Sequence, residues 1–131
     1  MPVHFLKRFV RLSLLLFILG TGMSCKRTAD PEPPEPPSVI GNWVGKYSID
    51  IATAPNLTWD PITFKTGGGL EGSDRMGTYN VAGTVLTATY VRSGSTFSFR
   101  CNILENFTKL EGTWGTGASQ TNGGQMLLTK N

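Results

Sequence analysis

Histidine is almost missing from this 131-residue chain: the single one, His4, lies in the extreme N-terminal segment. The remainder therefore has no imidazole, the usual general base near neutral pH and the commonest zinc ligand. Cysteine is nearly as scarce. Cys25 and Cys101 are the only two, too few for a disulfide framework. Excess positive charge is missing as well, despite a formal net charge of +3. Lys7, Arg8 and Arg11 precede Cys25 with no acidic residue among them, and from Cys25 onward nine Lys/Arg stand against nine Asp/Glu. A nucleic-acid binder needs surplus Lys/Arg to displace counterions from phosphates, so no nucleic-acid partner is expected. The apolar run Leu12 to Leu19 (LSLLLFIL) is interrupted only by Ser13. It falls well short of the roughly 20 residues that cross a bilayer.

That short run has the length of a signal-peptide apolar region instead. Lys7, Arg8 and Arg11 form a positive zone before it, and Gly20-Thr21-Gly22-Met23-Ser24 leads to Cys25. This arrangement resembles the lipobox of bacterial lipoproteins, with Gly22 where that family usually has Leu. The resemblance implies that residues 1–24 are a leader, with Ser24 the last residue removed, and that Cys25 becomes a lipidated N-terminus. Two or more acyl chains hold a protein stably on a bilayer, so the membrane becomes a partner through Cys25. Lys26, where an inner-membrane retention signal would place Asp, points to the outer membrane, on its periplasmic face or at the cell surface.

Residues 25–38 then form the tether. Asp30-Pro31-Glu32-Pro33-Pro34-Glu35-Pro36-Pro37 cannot make helix or sheet, because proline removes amide donors and forces its predecessor to extend. A polyproline-II spacer of about 3.1 Å per residue would reach about 40 Å from Lys26 to Ser38.

Residues 39–131 show no 3.6-residue apolar period, but repeated two-residue alternation. Trp43, Gly45, Tyr47, Ile49 and Ile51 share one face of a first strand. Ile62 and Phe64 open a second, and Gly68–Gly72 supply a short third. Gly77, Tyr79 and Val81 mark a fourth, and Leu86, Ala88 and Tyr90 a fifth over Thr84–Arg92. Phe97, Phe99, Cys101 and Ile103 face inward from a sixth, Leu110, Gly112 and Trp114 from a seventh, and Met126 and Leu128 from an eighth. The expected class is all-β, an antiparallel eight-stranded up-and-down barrel, since closure removes exposed strand edges. Fourteen of the sixteen glycines fall in residues 38–131, in keeping with strongly curved strands.

Gly41-Asn42-Trp43-Val44-Gly45-Lys46-Tyr47 is similar to the Gly-x-Trp opening of lipocalin-like barrels. Gly77-Thr78-Tyr79, Leu86-Thr87, Gly112-Thr113-Trp114-Gly115 and Leu127-Leu128-Thr129-Lys130 extend the likeness to the small lipocalin-like lipoproteins of Bacteroidetes. The resemblance implies that Lys130 or Arg100 covers Trp43 at one end, while the aromatic interior and the lack of a catalytic constellation suggest a barrel that binds rather than catalyses. The chain is much shorter than most lipocalins and lacks their flanking helix.

Aromatic side chains dominate the inward faces. Trp43, Tyr47, Tyr79, Tyr90, Phe97, Phe99 and Trp114 are the expected ligand-lining residues, with Trp59 and Phe64 further aromatics of the same set. They could surround a small apolar ligand or simply fill the barrel. Cys101 alternates with Phe99 and Ile103, which suits an inert core thiol rather than a nucleophile. Asp50, Asp60, Glu71, Asp74, Glu105 and Glu111 are scattered and suggest no acid–base pair. Asp74 beside Arg75 reads as a solvated turn. Neither the Glu71/Asp74 region nor Gly67-Gly68-Gly69 has the spacing of a calcium loop or phosphate cradle. No catalytic residue, metal or cofactor is expected. The rival expectation is an envelope-protein partner or hydrolase engaged through a barrel loop, Gly115–Gly124 being the longest.

Overall fold

The computed structural model describes residues 36–131. The leader, Cys25 and most of the tether lie outside the described residues.

Eight antiparallel strands run in chain order around a closed barrel. They are β1 (Gly41–Tyr47), β2 (Leu57–Phe64), β3 (Gly69–Gly72), β4 (Arg75–Ala82), β5 (Val85–Arg92), β6 (Ser95–Leu104), β7 (Lys109–Thr116) and β8 (Gly124–Lys130). Each pairs with its neighbour in sequence, and β1 closes on β8 from Trp43↔Lys130 to Tyr47↔Met126. The expected all-β, up-and-down architecture is the one observed. Tight turns set the registers. At Ser93-Gly94 both residues have positive φ, 49° and 79°, the conformation whose twist matches a two-residue hairpin.

Inward-facing apolar side chains fill most of the interior. Trp43, Phe64, Leu70, Leu86, Phe99, Leu110, Met126 and Leu128 are completely enclosed. Trp43 meets Phe64 edge to face with centroids 6.0 Å apart, and Phe64 in turn packs on Tyr79 at 4.8 Å. One end is stoppered by the incoming chain. The Trp43 indole donates to Val39 O at 2.7 Å, and Lys130 Nζ donates to Ser38 O at 2.8 Å. Of the two basic candidates for this end, Lys130 is the cross-strand neighbour of Trp43. Arg100 points outward and is exposed.

Two strands depart from the alternation expected of them. The first strand stops at Tyr47, and Ile49 and Ile51 are 72% and 55% exposed in the following loop, not on an inner face. Ser48 causes the break. Its amide donates to Gln125 O at 2.9 Å and its hydroxyl to Asp50 O at 2.6 Å. The Asp50 carboxylate then gathers the Ala52 and Thr53 amides and the Thr53 hydroxyl, a local side-chain turn that competes with strand extension. The second strand begins at Leu57, five residues before Ile62, and contains a bulge. Trp43 pairs with Ile62 and Gly45 with Trp59, so Val44 faces both Asp60 and Pro61. Pro61 cannot donate to a ladder and so suits a bulge. The extra residue shifts the inward phase from Trp59 to Ile62 and Phe64.

Candidate functional site

The barrel end opposite the stopper is the open one. There β1 ends at Tyr47, β5 at Arg92 and β7 at Thr116, while β2, β4, β6 and β8 begin. A cleft of about 320 Å³ opens among Tyr47, Thr58, Trp59, Asp60, Arg75, Tyr90, Arg92, Phe97 and Trp114. That lies at the lower limit of small-molecule sites, roughly 300–1,000 Å³.

Its floor is a ring of aromatic side chains. Trp59 lies edge to face with Tyr47, Tyr90, Phe99 and Trp114, at centroid separations of 5.5 to 6.4 Å. Tyr90 and Phe97 are cross-strand partners on β5 and β6 and stack at 5.4 Å with an interplanar angle of 20°. Trp114 is fixed by an indole bond of 2.9 Å to Ser48 O, so the loop after β1 also orients the floor. The indole N–H of Trp59 is enclosed and has no acceptor among the described residues. A buried donor left this way costs about 1–3 kcal/mol.

Charge forms the rim. Arg75 and Arg92 are directly paired across β4 and β5, where like charges repel. Two carboxylates bridge them. Asp60 Oδ2 accepts from Arg75 Nη2 at 2.8 Å and from Arg92 Nη2 at 3.2 Å. Asp74 accepts from Arg75 Nε at 3.2 Å and, through its other oxygen, from Arg92 Nε. The Arg75 side chain is only 2% exposed, with its guanidinium 5.4 Å and 5.5 Å from the Trp59 and Tyr90 ring centroids, within cation–π range. Gly72 makes room for it, because a Cβ there would sit 2.7 Å from Arg75 Cγ. Partial desolvation is the largest influence on Asp74 and pushes its pKa up. The hydrogen bonds and charges of Arg92 and Arg75 together outweigh it and hold the carboxyl below its ordinary value. Arg92 is raised chiefly by its bond to Asp74. Desolvation lifts Tyr90 to about 12, so its hydroxyl stays protonated across the physiological range.

No protein-family model, curated protein or solved structure matches this chain.

Of the seven expected ligand-lining residues, Tyr47, Tyr90, Phe97 and Trp114 converge on this cleft. Trp43 and Phe99 are sealed in the core with no exposed surface. Tyr79 is at the other end, with its hydroxyl donating to Lys65 O at 2.8 Å. It lines a wider groove of about 440 Å³ between Pro37–Ile40, Gly67-Gly68 and Phe107. That groove is shallow and carries no charged side chain, whereas the cleft at the mouth combines a deep aromatic floor with fixed donors. The rim was not expected from the sequence. Asp74 does lie exposed in the turn between β3 and β4, as expected, but it also bridges two arginines. The signal was present in the alternation: Arg75 continues the face of Gly77 and Tyr79, and Arg92 that of Ala88 and Tyr90. The Pro61 bulge then brings Asp60 to the same rim.

Cys101 is 1% exposed in the core, and burial, with a smaller push from Glu111, raises its pKa to about 12. The thiol therefore has almost no thiolate at neutral pH with which to attack a substrate. Its unfolded value is about 8.5, so the neutral thiol favours the fold. That stabilisation is complete below about pH 8.5 and is lost as the pH climbs toward 12. Urea melts of the wild type should show stability falling between pH 8.5 and 10, before Tyr90 contributes. Cys101→Ala should start lower and lose this slope. An identical slope in both proteins would refute the assignment.

Proposed function

We propose that this protein is a lipid-anchored envelope lipoprotein whose barrel binds a small, largely apolar ligand at its mouth without transforming it. The observation that carries the reading is the aromatic-floored cleft at one end of an otherwise filled barrel. The chain enters at the stoppered end, so a membrane anchor upstream would join the barrel at the end away from the mouth. The lipobox-like segment ending at Cys25 supports the anchor. The barrel form suits the resemblance to small lipocalin-like lipoproteins, with the ligand at the mouth rather than in a deep interior chamber.

Every strand and core residue of the barrel follows Pro37, so the chain from Lys26 is the unit for binding work. The neutral fluorophore N-phenyl-1-naphthylamine should bind it saturably at one site. Phe97→Ala, which removes the stacking partner of Tyr90, should weaken that binding by about tenfold, equivalent to about 1.4 kcal/mol. Tyr79→Ala, at the opposite end, should leave it unchanged. Absence of saturable binding would overturn the reading.

Anchoring has its own test. In a bacterial host, radiolabelled palmitate should enter the wild-type chain and sediment with membranes, and Cys25→Ser should abolish both. Label retained in that variant would contradict lipidation at Cys25.

A second reading, a protein-interaction or hydrolase-inhibiting role through the loops, draws on Ile49 and Ile51, exposed in the loop after β1. The loop before β8, expected to be the longest, spans only residues 117–123 against residues 48–56 for the loop after β1, and it is the weaker candidate. Thr113 Oγ1 donates to Gln120 O, Thr116 N to Asn122 Oδ1, and Gly123 N to Trp114 O, which folds it back upon β7.

A further inference from the structure

We infer that the mouth selects a neutral, planar, conjugated molecule bearing a carbonyl oxygen, and that Arg75 and Trp59 donate to this oxygen; the inference rests on the ligand-binding reading of the cleft. Three observations lead to it.

The first is a shortage of acceptors. Arg75 uses Nε and Nη2 on Asp74 and Asp60, while its Nη1 amino group has no acceptor among the described residues. The indole N–H of Trp59, beneath the same guanidinium, is also without one. Both residues line the cleft. A guanidinium can donate five hydrogen bonds and an indole one, and neither can accept. The unheld Asp60 Oδ1 and the Tyr47 and Tyr90 hydroxyls can accept, whereas the Arg75 amino group and the enclosed Trp59 N–H can only donate, and the complement of those two is an acceptor oxygen.

The second is charge balance. Two arginines and two aspartates meet at the rim, and three of the four carboxylate oxygens are held by guanidinium groups. A carboxylate ligand would be attracted by the arginines and repelled by Asp60 and Asp74 at comparable range. A cation would meet the opposite pair of forces. A neutral carbonyl takes the donor bonds without either repulsion and without stripping solvent from a second full charge.

The third is shape. The floor is made of rings, among them the stacked pair Tyr90 and Phe97. The volume of about 320 Å³ corresponds to roughly ten waters at about 30 Å³ each. One or two fused rings fit that space, and a long acyl chain does not.

The test uses three probes with one ring system: 2-acetylnaphthalene, 2-ethylnaphthalene and 2-naphthoate. Each is titrated into the ¹⁵N-labelled chain from Lys26, with the indole N–H signals of Trp43, Trp59 and Trp114 followed by NMR. Trp43 and Trp114 already donate to Val39 O and Ser48 O, so Trp59 is the reporter. The ketone should bind about ten- to a hundredfold more tightly than the ethyl compound, the span of a hydrogen bond to a charged donor. It should move the Trp59 signal downfield with little change at Trp43. Arg75→Met and, independently, Trp59→Phe should bring the ketone down toward the ethyl compound. Equal affinity for ketone and hydrocarbon would overturn the carbonyl assignment while leaving the cleft as a binding site. Tightest binding of the naphthoate would overturn the neutral preference in the same way. Failure of all three to bind would remove the ligand-binding reading as well.

Discussion

Phe99→Ala should destabilise the barrel by about 3–5 kcal/mol, the usual cost of truncating a fully enclosed aromatic residue. Phe99 has no exposed surface and packs on Trp59, Phe64 and Tyr90. Much of the stability of a small domain, commonly 5–15 kcal/mol, would be lost with it. Phe97, two residues earlier on the same face of β6, gives the comparison. It is half-buried at the mouth, so its truncation should cost far less stability while weakening ligand binding. Urea denaturation of the two variants separates a structural phenylalanine from a recognition phenylalanine. Similar losses from both would mean that the cleft is continuous with the packed core.

Gly112→Ala should be as damaging, for a steric reason. A Cβ at Gly112 would lie 1.9 Å from the carbonyl oxygen of Arg100 and 2.7 Å from Cys101 Cα. Gly112 is the cross-strand partner of Cys101 on β6 and β7. The obstacle is therefore backbone, which can yield only if the two strands part. A cost of about 3 kcal/mol or more follows, at the severe end of overpacking effects. Gly83→Ala is the control. It lies in a turn with no neighbour within 4 Å, and its φ of +61° costs an L-residue only about 1–2 kcal/mol. Thermal melts should rank Gly112→Ala well below Gly83→Ala. The reverse order would argue against the tight β6–β7 approach.

The strands most legible in the sequence were those whose alternation is unbroken. Leu86, Ala88 and Tyr90 and then Phe99, Cys101 and Ile103 fall on the inner face just as their spacing requires. Period-two patterning works there because each strand has one wet and one dry face. It fails where the backbone inserts a residue. The Pro61 bulge changes phase between Trp59 and Ile62, which hid the start of β2 and the place of Trp59 on that strand, although Trp59 was already among the aromatics expected inside the barrel. It fails also where a side chain offers the backbone another partner, as Ser48 and Asp50 do after Tyr47.

Half of the mouth was legible for the same reason. Tyr47, Tyr90, Phe97 and Trp114 are aromatic residues on inward faces, and the fold places them together. Depth along the barrel is not encoded in the alternation. Trp43, Phe99 and Tyr79 share inward phase with the others but lie in the core or at the far end. The charged rim was hidden by convention: charges at strand ends resemble turn residues. Asp74 and Arg92 are 18 residues apart and Asp60 and Arg92 are 32 apart, and only closure of β2 to β5 around the barrel joins them.

The most direct measurement is the set of nuclear Overhauser contacts from a bound naphthyl probe to the aromatic protons of the chain from Lys26. The account predicts contacts to Tyr47, Tyr90, Phe97 and Trp114, with none to Trp43 or Tyr79. Contacts confined to Tyr79 and Phe107 would put the ligand in the groove at the stoppered end and contradict it.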